Sequence, residues 1–210
     1  MLSYLDNAGS ATPFLEGVSG SNEVKSMAIA GGTGDAASTT RYVAEREFPP
    51  YAYVPGCAPH PVTDPAGHSY GRSIVCQTAP DPCDWRQCTE YLSGIDLFNH
   101  GYYWEAHEVW EAVWVAGGRR GPTADFLKGL IKLAAAGVKC REGSQAGVRR
   151  HARRAAELFR TVQAAVQHKT CFGLQFDDLF RFCDIVGATS AVPATDGRPQ
   201  VVFNFRLMPA

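Results

Sequence analysis

The chain has 210 residues, a net charge of −1, 45% apolar and 20% charged residues, a composition that supports a buried core and excludes disorder throughout. Its length gives room for one ordinary domain with appendages rather than two full domains. No stretch approaches the roughly 18 apolar residues of a membrane span, and no basic segment precedes an apolar run at the start, so neither a membrane span nor a signal peptide is expected. The seven cysteines (57, 76, 83, 88, 140, 171, 183) are odd in number and irregularly spaced, which reads as reduced thiols in a cytoplasmic protein.

In chain order, residues 1–40 are rich in Gly, Ala, Ser and Thr and lack apolar periodicity, so a disordered N-terminal tail is expected, with Met27 a candidate natural start. Residues 41–83 form a proline-rich arm carrying Tyr51, Tyr53 and Tyr70. Prolines remove donors and fix φ, which excludes helix and inner strand, and the tyrosines suit an arm packed on the domain. Residues 84–170 form a helical bundle domain, and 171–210 a C-terminal helix and strand extension. The fold class expected is therefore mainly α, a small antiparallel helical bundle with an extended arm before it and a helix plus short strand after it.

Within the bundle, Asp84 and Gln87 are spaced as a capping box, and Cys88, Tyr91, Leu92, Ile95 and Phe98 follow at helical spacing. Asn99-His100-Gly101 breaks that helix. A second helix runs from Tyr102 to about Ala116, stopped by Gly117-Gly118. Pro122 suits the first turn of a third, ending near Arg141, in which Gly129 and Ala134–Gly137 leave room for a close neighbour. Gly143 stops it and Ser144 caps a fourth, whose Val148, Ala152, Ala155, Phe159, Val162 and Val166 make one stripe. Short connections favour antiparallel neighbours. Beyond residue 170, Phe176, Leu179, Phe180 and Cys183 mark one side of a short helix, and the alternation of Val201, Phe203, Phe205 and Leu207 predicts a strand, with residues 73–76 as its candidate partner.

The second helix carries the chemistry. At about 100° per residue, Tyr103, Ala106, Trp110, Val113 and Trp114 share an apolar arc, with His107 and Glu111 together at its border. Glu105 and Glu108 point away from the arc, and Trp104, outside it, is expected to meet the arm or a second subunit. An imidazole and a carboxylate at i, i+4 share a proton or chelate a metal. Two ligands are fewer than zinc takes, however, and His107-Glu108-Val109-Trp110-Glu111 departs from the HExxH pattern in its last position, so a peptidase is not expected. A small-ligand or divalent-metal site with His107 and Glu111 as ligands, lined by Trp114 and Tyr103, stands against a plain hydrogen-bonded pair completing a tryptophan-rich core.

Two further groups are weaker signals. Cys57-x2-His60, with His68 and Cys76 beyond, offers N and S donors, but its prolines favour a wrapping arm. Arg149, Arg150, Arg153, Arg154 and Arg160 make a basic face on the fourth helix, with Arg119 and Arg120 nearby. The segment 84–170 holds thirteen Lys/Arg against nine Asp/Glu, compatible with an anionic partner. No nucleic-acid motif accompanies the arginines, so a small molecule or metal is the expected partner, and a homo-oligomer is compatible with the sequence.

His107-x3-Glu111-x2-Trp114, preceded by Phe98-Asn99 and Tyr103-x-Glu105, resembles the motif of the family catalogued as domain of unknown function 309. The following segment from Pro122 to Ala155 is similar to that family's next two blocks, so the resemblance spans about residues 84–165. It implies a small helical domain of the bacterial and archaeal type whose His/Glu/Trp motif binds metal, and it brings no activity.

Overall fold

Four helix-forming stretches separated by glycine stops set the architecture. The computed structural model describes residues 41–72, 74–76 and 81–210; the expected tail 1–40, with Met27, lies outside the described residues. The helices are α1 (Thr89–Asn99), α2 (Tyr103–Ala116), α3 (Gly121–Arg141), α4 (Gln145–Val166) and α5 (Phe176–Ala188). Connections of three, four and three residues join α1 through α4, and each helix packs on its successor, as an antiparallel bundle requires. Among the described residues no helix is long and apolar enough to cross a membrane.

The stops work as their residue types dictate. Gly101, at φ +84°, turns α1 into α2, and a side chain there would strike the backbone of Gln200. Pro122 sits in the first turn of α3, and the Ser144 hydroxyl caps α4 by accepting the Gly147 N–H at 3.4 Å. Small residues set helix spacing: a Cβ on Gly129 would meet the Phe159 ring, and one on Gly137 the Tyr103 ring. The α4 stripe of Val148, Ala152, Ala155, Phe159 and Val162 is buried, with Val166 half-buried at its end.

Three expectations need correction. Asp84 does not cap a long helix: Trp85–Gln87 forms a single 3-10 turn, the Asp84 side chain caps nothing, and α1 begins at Thr89 because Cys88 leaves helical geometry at ψ 87°. On α5 the buried positions are Phe176, Leu179, Phe182, Cys183 and Val186. Phe182 goes inside because Phe205 of the tail stacks on it at 4.1 Å, which leaves Phe180 half-buried beside Phe176 and Arg160. Finally, residues 201–207 form no strand. Their alternation is real, since Phe203 and Leu207 are buried, but the backbone bonds to helix side chains instead of a sheet edge. Val202 N–H donates to the Tyr103 hydroxyl at 3.0 Å, and Leu207 exchanges both backbone bonds with the Asn99 amide at 2.8 Å. Residues 74–76 likewise form no strand.

The two strands present, β1 (Thr170–Cys171) and β2 (Leu174–Gln175), make a minimal antiparallel hairpin. Its two-residue loop places Phe172 at φ 50° and Gly173 at φ 74°, the positive pair that hairpin twist favours. Phe172 tolerates this because it is fixed on both sides: its ring stacks on Phe126 at 5.2 Å, and its carbonyl accepts the Tyr91 hydroxyl at 2.8 Å.

The proline-rich segment lies on α1 and α2. The Asp96 carboxylate accepts the N–H groups of Tyr42 and Val43 at 2.9 and 2.8 Å, and Glu105 accepts that of Tyr53 at 2.8 Å. Trp104, outside the apolar arc, meets the arm as expected, with the rings of Tyr53 and His60 each 5.3 Å from its own. Ala52 N–H then donates to Gly197 at 2.8 Å, tying arm to tail.

Candidate functional site

The helical phase of α2 is the one the apolar arc dictates: Tyr103, Ala106, Trp110 and Val113 are buried. His107, at the border, is buried to 9% exposure, and Glu111 one turn on is half-buried. The His107 Nδ1 lies 4.0 Å from the Glu111 carboxylate and 3.4 Å from that of Glu108. Neither carboxylate is aligned to bond it, so Nδ1 is a buried polar atom without a hydrogen-bond partner. One donor atom from each of the three residues falls within 4.8 Å of the others. Glu108 therefore joins the pair. A helical wheel turns it away, but its flexible side chain reaches back across the 100° step to the imidazole. Glu105 also departs from the wheel reading: it is buried at 4% exposure because the arm covers it, with Tyr53 N–H and the His68 ring, 3.4 Å away, on one carboxylate oxygen.

Trp114 is half-buried at the solvent end of the same face. The Arg119 guanidinium and the Lys128 ammonium each stand 5.5 Å from its ring centroid, a cation–π arrangement. Its indole Nε1 is a second buried donor without a partner. Tyr103 is placed differently from the other three motif residues. Its ring packs into the core against Gly137, Phe98 and Phe203, and its hydroxyl is taken by Val202 N–H. Burial pushes its phenol up to about 12, so it is un-ionised at neutral pH.

Two residues absent from the sequence-based site, on α3 and α4, carry shifted pKa values that the charges of α2 influence. His151, in the buried stripe of α4, is 6% exposed, and its Nε2 is a third buried atom with no partner. Desolvation, then the charges of Lys132, Arg150, Lys139 and His107, hold its pKa down to about 4, so the ring is neutral near pH 7. Half-buried Lys132 of α3 is lowered by burial first, then by Lys128, Arg154 and Arg150, while Glu111 opposes the shift. The signal for His151 was legible: it stands three residues after Val148, at a stripe position where an apolar residue is the default.

Other donor groups are less suited to a ligand. Cys76, Cys88 and Glu90 also lie within 4.8 Å of one another, but burial pushes the Cys88 thiol up to about 11 and Arg46 neutralises Glu90 at 3.8 Å. A protonated thiol is a poor metal ligand. Cys57, His60 and His68 do not converge: Cys57 donates to Ala194, His60 accepts the N–H groups of Val62 and Thr63, and His68 meets Ser69 and Glu105. None of the seven cysteines forms a disulfide. Arg149, Arg150, Arg153, Arg154 and Arg160 are exposed on α4, as are Arg119 and Arg120 after α2.

Neither the curated proteins nor the solved structures include a match to this chain. Residues 91–151 match the model of the family described as Domain of unknown function (DUF309). The match runs from Tyr91 of α1 through all of α2 and α3 to His151, and so takes in His107, Glu108, Glu111, Trp114 and Lys132. Over these residues the chain is similar to the DUF309 family.

Proposed function

We propose that the domain binds a divalent metal ion, or a small ligand in its place, at His107, Glu108 and Glu111. The observation that carries this reading is the buried, partnerless Nδ1 of His107 with two carboxylates alongside. A buried polar atom without a partner costs about 1–3 kcal/mol, and a cation between imidazole and carboxylates removes that cost. One nitrogen and two carboxylate donors suit zinc or manganese, and three protein ligands leave coordination positions for water or substrate. A bound cation supplies Lewis acidity and a bound water of lowered pKa.

The residues around it have separable parts. Trp110, fully buried, fixes the α2 backbone from which all three donors project, with its indole N–H donating to the Tyr91 carbonyl at 3.2 Å. Trp114 closes the solvent end, and Tyr103 holds α2 against α3 and the tail. Metal analysis after loading with Zn²⁺ or Mn²⁺ tests the reading. The unmutated protein should retain about one ion per chain and His107→Ala should retain none. Equal metal content in both proteins would refute it.

A further inference from the structure

Two of the cysteines meet where the proline-rich segment reaches the start of α1. The Sγ atoms of Cys76 and Cys88 lie within 4.8 Å of each other and of a Glu90 carboxylate oxygen, and a side-chain hydrogen bond joins the two thiols. The Cys76 thiol also donates to Glu90 at 4.0 Å. Both residues are half-buried, which leaves each partly open to solvent, whereas Cys140, Cys171 and Cys183 are buried. Neither sits inside a helix: Cys76 lies in irregular backbone, and Cys88, at ψ 87°, stands between the 3-10 turn and α1. Rotation of the two side chains therefore leaves the helical bonds in place while the sulfurs close to the ~2 Å of a disulfide.

We infer that Cys76 and Cys88 are the site of a reversible disulfide, formed by exchange with a small-molecule disulfide such as oxidised glutathione. In the first step the Cys76 sulfur attacks one sulfur of that molecule, RSSR, and expels RS⁻. The Cys76 proton, directed at the Glu90 carboxylate, ends on the leaving group to give RSH. In the second step the Cys88 sulfur attacks the Cys76 sulfur of the mixed disulfide and expels the other RS⁻, which takes up the Cys88 proton. Two thiols are thereby oxidised to one disulfide, and RSSR is reduced to two RSH. Cys76 attacks first because burial pushes the Cys88 thiol up to about 11, and the thiolate is the nucleophile. Cys88 attacks second, when its target is already held beside it. The bond ties the segment ending at Cys76 to the start of α1, beside the Arg46–Glu90 ion pair at 3.8 Å, and reduction releases it. This inference is independent of the metal reading at α2.

Incubation of the folded, full-length protein with oxidised glutathione, followed by alkylation of the remaining thiols, tryptic digestion and mass spectrometry, tests it. The peptide holding Cys76 should be joined to the one holding Cys88, at a mass two hydrogens below their sum, and dithiothreitol should undo the link. Trypsin leaves Cys76 and Cys83 on one peptide, so the mapping is repeated in Cys83→Ser, where the link should persist. In Cys88→Ser, Cys76 should accumulate as its glutathione adduct. In Cys76→Ser, Cys88 should take up glutathione roughly tenfold more slowly than that. Loss of the link in Cys83→Ser would overturn the assignment, as would Cys76 and Cys88 recovered in the unmutated protein only as alkylated thiols or as separate glutathione adducts. Equal rates in the two single variants would overturn the order of attack.

Discussion

Two sets of buried polar groups, on different helices of the bundle, end in opposite states. Asp96 and Asn99, on α1, are fully engaged. Asp96 accepts two backbone N–H groups of the arm, and Asn99 exchanges two bonds with Leu207 of the tail. His107 and Trp114 of α2 and His151 of α4 each keep a buried nitrogen without a partner. Buried polar groups are nearly always satisfied, so the first set reads as anchorage for segments that have no regular structure of their own. The second set includes His107 and Trp114 of the candidate site.

The comparison can be broken first on the side of the fold. Phe159 is wholly buried in the notch that Gly129 leaves for it, so Phe159→Ala should cost about 3–5 kcal/mol through lost burial and the cavity left behind. Urea unfolding measures this, and a cost near zero would mean that α3 and α4 do not meet as described. Asp96→Ala should be next. Hydrogen bonds to a charged acceptor contribute about 1.5–3 kcal/mol each, so a loss of about 2–4 kcal/mol is expected, with proteolysis beginning in the arm before the bundle. Unchanged stability would place the arm's anchorage elsewhere.

On the side of the site, His151 makes a prediction about pH. Its folded pKa, about 4, lies below the ordinary histidine value of 6.5, so the unfolded chain binds the proton more readily. Stability should fall as pH drops from about 6.5 to 4, with a slope of at most about 1.4 kcal/mol per pH unit from this residue. Replacing His151 with leucine should flatten that slope in a series of thermal melts between those limits. An unchanged slope would show that His151 takes up its proton as freely folded as unfolded.

Much of this was legible in the sequence because helical period and stop residues act locally. The α2 arc, the Gly101 and Gly143 stops, the Ser144 cap and the α4 stripe follow from spacing alone. What was not legible depends on distant partners. Alternation over 201–207 records an extended chain with one face buried, but not whether its N–H groups find a sheet or, as here, the Asn99 and Tyr103 side chains. Glu105 is inside only because an arm fifty residues away covers it. At the candidate site, His107, Glu111 and Trp114 come from one helix, and its wheel places them together. Glu108 was missed because a wheel places Cα positions and not the reach of a carboxylate. Lys132 and His151 were missed because they belong to other helices, whose faces are brought opposite α2 only by the packing at Gly129 and Gly137.

The central claim is that His107 and its carboxylates bind a ligand and do not merely complete the core. Glu111→Gln tests it most directly, because it keeps the shape of the side chain and removes only its charge. The Glu111 side chain is 42% exposed and its carboxylate stands 4.0 Å from His107, so the fold should lose less than about 0.5 kcal/mol. Calorimetric titration with Zn²⁺ or Mn²⁺, beside thermal melts of both proteins, should show binding to the unmutated chain that weakens tenfold or more in the variant at an almost unchanged melting temperature. No metal binding by the unmutated chain, together with a clearly destabilised variant, would contradict the account and leave the pair as part of the core.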